Sequence, residues 1–139
     1  MRILFDTSAL LKRYLPEPGR EAVLALVARA RPVVAAPHCK AELYSALSRV
    51  RRETGAAEEA YRLTCAEVER NFGDFDVVPL TAVLERAAIR ALEASPLRAS
   101  DALHIAAGVA AGVDLFVTAD PRQHRGALSV GLKSTLLEN

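Results

Sequence analysis

The sequence predicts an α/β protein, a three-layer α/β/α sandwich around a short parallel sheet. Three observations carry that prediction. Short apolar runs alternate with helical periodicities along the whole chain, the pattern of parallel strands joined by crossover helices. The runs are continuous rather than alternating in polarity, as suits strands covered on both faces. The length of 139 residues, 51% apolar and 25% charged, suits a single domain over residues 1–139 that buries its own core without disulfides or a structural metal.

Each element has a local reason. Arg2 to Phe5 is an apolar run that reads as a strand, and Asp6-Thr7-Ser8 after it are residues that favour helix starts. A short helix from Ala9 to Leu15 is stopped by Pro16-Glu17-Pro18-Gly19. Arg20 to Ala30 places Val23, Leu24, Leu26 and Val27 at helical spacing, and Pro32 closes it. Val33 to Ala36 is the second strand. His38 to Thr54 is a long helix with Leu43, Ala46, Leu47 and Val50 on one stripe and Gly55 as its stop. Ala56 to Phe72 is a further helix, and Phe75 to Val78 the third strand. Thr81 is an N-cap for a helix to Ala94, which Ser95-Pro96 ends. Ala99 to Ala111 is a helix apolar nearly all round. Leu115 to Thr118 is the fourth strand, Asp120-Pro121 opens a short helix, and Ser134 to Leu137 is a fifth, edge strand.

Composition narrows the function. With 18 basic and 17 acidic residues the net charge is +1, so a nucleic-acid partner would have to bind through a local patch. Cys39 and Cys65 match no redox or zinc spacing and read as reduced, buried thiols. Asp6 interrupts the first apolar run too early for a signal peptide, and no stretch approaches the ~18 apolar residues of a membrane helix. A soluble, cytoplasmic protein is expected. There is no phosphate-binding glycine loop, dinucleotide fingerprint or nucleophile elbow, and His38, His104 and His124 lie far apart in the chain.

Four acids stand out from those on solvated helix faces. Asp6 and Asp120 follow the first and fourth strands, where open parallel sheets bind ligands. Asp101 lies in the first turn of the apolar helix, where at about 100° per residue it shares a face with His104, Ile105 and Gly108. Glu42 borders the apolar stripe of its helix. Each has a plainer reading. Asp6 and Asp120 suit N-caps, Asp120 with a proline at the first helical position. Asp101 suits a helix dipole, and Glu42 an exposed ion pair. Gathered at one rim, however, four carboxylates repel one another and need a cation. Oxygen-only ligands select Mg²⁺ or Mn²⁺, and phosphodiester hydrolysis is the chemistry such a site supports.

The motifs that carry these acids are Asp6-Thr7-Ser8-Ala9-Leu10, Glu42 within Pro37 to Leu47, Ala99-Ser100-Asp101-Ala102-Leu103-His104-Ile105-Ala106, and Leu115-Phe116-Val117-Thr118-Ala119-Asp120. In this order and spacing they resemble a PIN domain, specifically the VapC group of toxin ribonucleases, over essentially the whole chain. The resemblance implies a Mg²⁺ or Mn²⁺ site formed by Asp6, Glu42, Asp101 and Asp120, with Thr7, Ser8 and Thr118 in support. It implies RNA cleavage by an activated water to leave a 3′-hydroxyl and a 5′-phosphate, a cognate antitoxin, and a homodimer. Many relatives carry a further acid or amide shortly after the fourth aspartate. Here Pro121-Arg122-Gln123-His124-Arg125 follows, which puts a second metal in doubt.

Lys40, Arg98 and Arg122 are the candidate RNA contacts, with Lys12, Arg13, Arg49, Arg51, Arg52 and Arg125 as further cations near the four motifs. His104 reads as a packed, hydrogen-bonded histidine. Leu11, Tyr14, Leu15, Tyr44 and Leu47 either wall the core or form a groove for a partner helix. Two other functions compete with the nuclease: a non-catalytic RNA- or protein-binding module of the same fold, and a phosphatase using Asp6 as nucleophile, which would want a second aspartate where Ser8 stands.

Overall fold

The computed structural model describes residues 1–139. Five parallel strands form one sheet: β1 (Ile3–Phe5), β2 (Val33–Ala35), β3 (Asp76–Val77), β4 (Leu115–Thr118) and β5 (Ser134–Leu136), in the spatial order β3-β2-β1-β4-β5. Seven α-helices cover it: α1 (Thr7–Leu10), which tightens into a 3-10 turn over Leu11–Arg13, α2 (Arg20–Arg29), α3 (Cys39–Thr54), α4 (Glu58–Gly73), α5 (Ala82–Ala94), α6 (Ala99–Ala111) and α7 (Pro121–Ser129). None of them is long and apolar enough to cross a membrane.

β1 is the central strand, with Ile3 paired to Val33 on one side and to Leu115 on the other. Its alternate residues feed two cores. Ile3 and Phe5 pack with Val33, Ala35 and Val117 against Leu10, Val23, Leu43 and Phe72 from α1 to α4. Leu4 packs with Val34 and Phe116 against Leu84, Ala88, Ile105 and Ala127 from α5 to α7. This is the three-layer arrangement expected of continuous apolar strands. The first half of the chain builds outward from β1 to β3, and the second half crosses over to β4 and β5. The direction therefore reverses between β1 and β4, and the crevice beyond the carboxyl ends of those two strands is the topological switch point.

Several local expectations change. α1 begins at Thr7 rather than Ala9, because the Asp6 side chain accepts from the Ala9 amide and caps the helix two residues early. β3 and β5 are edges. Both residues of β3 are exposed, since a strand with one neighbour and two residues has no second layer over it. Cys39 is buried but Cys65 is only half-buried. Lys12 is 1% exposed, its ammonium 3.7 Å from Glu17 and 3.5 Å from the Asn139 side chain, so it is no phosphate contact. Leu47 is buried, and Leu11, Tyr14, Leu15 and Tyr44 pack against the first core.

Candidate metal centre and its hydrogen-bonded shell

β1 delivers Asp6 to the switch point. The strand's ladder continues one step, from the Asp6 amide to the Val117 carbonyl at 3.1 Å, which pins the residue beside β4 with its side chain wholly buried. Both carboxylate oxygens are occupied. Oδ1 accepts from the Ala9 amide at 2.9 Å and the Ser8 hydroxyl at 2.8 Å. Oδ2 accepts from the Thr118 hydroxyl at 2.5 Å and from Ser8 at 3.0 Å. Burial pushes the Asp6 carboxyl up; the charge of His104 and the bonds from Thr118, Ala9 and Ser8 pull it down, and burial wins.

Thr118 links this carboxylate to the next, because its hydroxyl also accepts from the Asp120 amide at 3.0 Å. Asp120 caps α7 through Oδ1, which accepts from the Arg122 amide at 2.9 Å, with Pro121 at the first helical position. Its Oδ2 takes no hydrogen bond from the protein.

Asp101 sits in the first turn of α6 and is buried. Its Oδ2 accepts from the Arg98 amide at 3.3 Å and its Oδ1 from the Gln123 side-chain amide at 3.1 Å. Gln123 reaches it from α7 and is itself buried. His124, the other residue after Asp120, faces away and bonds Ser134 at 2.8 Å.

Glu42 stands one turn inside α3, its side chain 35% exposed. Two donors bond its Oε1, the Thr7 hydroxyl at 2.6 Å and His104 Nε2 at 2.7 Å, and His38 Nε2 lies 3.4 Å away. Its Oε2 has no protein partner. Burial opposes ionisation of Glu42, but the bonds from His104 and Thr7 and the charges of both histidines outweigh it and hold the carboxyl down to about 2. His38 also bonds the Ser100 carbonyl at 2.9 Å, and burial together with the His104 charge lowers its own pKa.

The fold thus brings together two histidines that the sequence keeps apart, with ring centroids 4.3 Å from each other. His38, Glu42 and His104 are the one group in which three ligand-type side chains lie within 4.8 Å, and no three of the four acids approach that closely. The histidine cluster nevertheless reads as a hydrogen-bonded carboxylate rather than an imidazole-held metal. A ligating histidine turns one ring lone pair to the ion and donates its other N–H to an acceptor. Here Nδ1 of both rings is buried without a partner. Ligation through Nε2 would leave two buried N–H groups without acceptors, which folded proteins avoid.

The oxygen set fits a hard cation better. Glu42 Oε2 and Asp120 Oδ2 are unspent acceptors on half-buried residues, and Asp6 and Asp101 are buried, an oxygen-only donor set of the kind that hard cations take.

The candidate RNA contacts differ among themselves. The Arg98 and Arg122 side chains are 72% and 53% exposed, 3.6 Å from Asp101 and 4.0 Å from Asp120 respectively. Lys40 is already paired with Glu69 at 2.8 Å, and Tyr44 donates to the same carboxylate at 2.6 Å. Sequence reasoning missed His38, whose only signal was its place four residues before Glu42. It left Gln123 undecided, because nothing in the sequence shows which residue of α7 faces α6.

Comparison with known proteins agrees with this architecture. A family model described as the PIN domain matches residues 3–128. The chain is 34% identical to Ribonuclease VapC45 and to Ribonuclease VapC49, from two strains of Mycobacterium tuberculosis, over 94% of this chain and 92% of each relative. Among solved structures, FitAcB from Neisseria gonorrhoeae has a similar fold, with a TM-score of 0.75 at 15% identity over 95% of both chains. VapC20 of Mycobacterium tuberculosis, described as a toxin that cleaves the sarcin-ricin loop, gives 0.64 at 21% identity over 94% of this chain and 95% of that one. VapBC2 from Rickettsia felis, bound to a DNA fragment from its promoter, gives 0.70 at 12% identity over 99% and 100%. The match over nearly the whole chain and the identity to the curated relatives show that the chain belongs to the PIN domain family.

Proposed function

We propose that this chain is a Mg²⁺- or Mn²⁺-dependent endoribonuclease and the toxin of a toxin-antitoxin pair, with residues 1–139 acting as one nuclease domain in the cytoplasm. The observation that supports the reading is the set of hydrogen bonds that ties each acid to the ends of β1 and β4 or to a helix beside them: Asp6 and Asp120 to Thr118, Glu42 to Thr7, and Asp101 to Gln123 of α7. Hydrogen bonds fix all four in place. The curated relatives are named ribonucleases. Among the similar solved structures, VapBC2 is described as bound to a DNA fragment from its promoter and FitAB as bound to a DNA fragment. The exposed apolar side chains Val83, Ile89 and Leu92 of α5 suit the homodimer that goes with this reading.

Asp6, Glu42, Asp101 and Asp120 would hold the cation. When bound, such a cation offsets the charge of the phosphate and lowers the pKa of a water. The residues then have separate tasks. Glu42 and Asp120 offer the cation their unbonded oxygens, and the water's proton passes to solvent. Thr118 and Ser8 keep Asp6 from turning away, and Gln123 does the same for Asp101. Arg98 and Arg122 hold phosphates on either side of the crevice. The water's oxygen bonds to phosphorus, the bond to the 3′ oxygen breaks, and that oxygen leaves as a hydroxyl after taking a proton, with the 5′-phosphate on the other fragment.

The test is cleavage of structured and single-stranded RNAs with Mg²⁺, Mn²⁺ or EDTA, beside Asp101→Asn. Divalent-dependent cutting that the variant lacks supports the nuclease. RNA binding that ignores both the cation and the substitution, with no cutting, would establish the non-catalytic module instead.

A further inference from the structure

We propose that His104, together with Thr7, is a positioning residue that saturates Oε1 of Glu42 and thereby commits Oε2 of the same carboxylate to the divalent cation. The inference rests on the reading of Glu42 as a cation-holding group and adds the device that sets its orientation.

The geometry is specific. A carboxylate on an exposed helix face turns freely about its last torsions and shows either oxygen to a cation. Glu42 does not have that freedom. The Thr7 hydroxyl donates to Oε1 at 2.6 Å and His104 Nε2 at 2.7 Å, from two elements on opposite layers of the sheet. Thr7 opens α1 and His104 lies in α6. An ionised carboxylate accepts only, so the ring nitrogen facing it carries the hydrogen. The same nitrogen lies 3.3 Å from the Thr7 oxygen, whose own hydrogen is given to Glu42, so the two donors meet side by side at one carboxylate oxygen. His104 is 1% exposed and its Nδ1 has no partner. A histidine held for packing alone has no reason to leave one buried nitrogen unpaired and to spend the other on a carboxylate at a crevice. Leucine would fill that volume without an unsatisfied atom. The unpaired Nδ1 also fixes the tautomer, because a hydrogen on Nδ1 instead would lose the bond to Glu42 and gain none.

Residues that orient a metal's ligands typically change its affinity by about 10- to 100-fold when removed. The experiment titrates Mn²⁺ into the purified protein and follows free Mn²⁺ by its electron paramagnetic resonance signal. The proteins compared are the natural one, His104→Leu, His104→Gln and Thr7→Val, with thermal melting of each in EDTA. Mn²⁺ binding should weaken by about tenfold or more in His104→Leu and in Thr7→Val. His104→Gln keeps an N–H donor at the same depth and should recover most of the loss. In the leucine variant, raising Mn²⁺ should restore the cleavage rate at saturating RNA, a recovery that a distorted fold would not allow. Unchanged Mn²⁺ affinity in the leucine variant overturns the inference. So does a glutamine variant as weak as leucine, since the N–H would then not be what matters. If the natural protein itself binds no Mn²⁺, it is the metal-dependent nuclease that fails first.

Discussion

Asp6 shows what a single buried carboxylate does to this fold when no cation offsets it. Burial raises its pKa above the ordinary value of 3.8, against the pull of His104 and three hydrogen-bond donors. The folded state therefore holds the Asp6 proton more tightly than the unfolded chain does. Stability from this group falls as pH rises from 3.8 through the folded-state pKa, and the penalty persists at neutral pH. In EDTA at pH 7, Asp6→Asn should melt above the natural protein, and the gap should close as the pH is lowered toward 3.8. Adding Mg²⁺ should raise the melting temperature of the natural protein and leave the variant unmoved. Differential scanning fluorimetry over a pH series reads both, and a variant that melts lower at every pH would reject the argument. The thiols give a second residue-scale outcome. Burial pushes the Cys39 thiol up to about 12, whereas Cys65 is partly accessible. Iodoacetamide at pH 8 should label Cys65 first and reach Cys39 only on unfolding, as peptide mass mapping will show. The roles of residues at this scale were only half legible. Asp6 and Asp120 announce themselves by following apolar runs, but His38 and Gln123 act across elements, and no spacing along the chain encodes a contact between α3 and α6 or between α6 and α7.

At the scale of elements, the apolar runs and their stops were legible because each had a local cause, a cap, a proline or a glycine. The edge strands were legible too, at Phe75 to Val78 and Ser134 to Leu137, but not the extent of the first: β3 is two residues long and exposed, its limits set by its pairing with β2, a non-local fact. The seating of α7 on α6 is likewise invisible in the sequence until Gly126 is placed. A Cβ there would lie 2.8 Å from the Ile105 methyl and 3.1 Å from both Leu97 methyls, so the helices approach as closely as a glycine permits. Gly126→Ala pits a gain in helix propensity of about 1 kcal/mol against that crowding. Gly126→Val adds bulk that flexible methyl ends cannot clear, and overpacking of this kind costs about 1–3 kcal/mol. Urea denaturation should show the valine variant destabilised within that range. Because α7 carries Gln123 to Asp101, its cleavage activity should fall further than that of Thr81→Ala. The latter loses a cap on α5 that bonds Leu84 at 3.3 Å, is destabilised by about 1 kcal/mol, and leaves the crevice untouched. Equal activity in the two variants would separate α7 from the site.

The whole molecule has a net charge of +1, so it attracts RNA only where cations are left unpaired. That makes the distribution of ion pairs, rather than their number, decide where a phosphate backbone can lie. Lys40 is held by Glu69 at 2.8 Å, and its charge is spent within the protein. Arg98 and Arg122 stand well exposed over carboxylates that a bound cation would occupy, so filling the crevice with a divalent ion frees them for phosphate. The salt dependence of binding counts such contacts. For single-stranded RNA each phosphate neutralised contributes about 0.7 to the slope of log K against log salt. With the Asp101→Asn protein, expected not to cleave, and a labelled RNA, fluorescence anisotropy should show the slope flattened by about 0.7 in Arg122→Ala. Lys40→Ala should change it little, because its partner Glu69 already neutralises the ammonium. A lysine variant that flattens the slope as much as the arginine variant would mean that RNA displaces Glu69. The backbone would then run along α3 and the face of α4 rather than between α6 and α7.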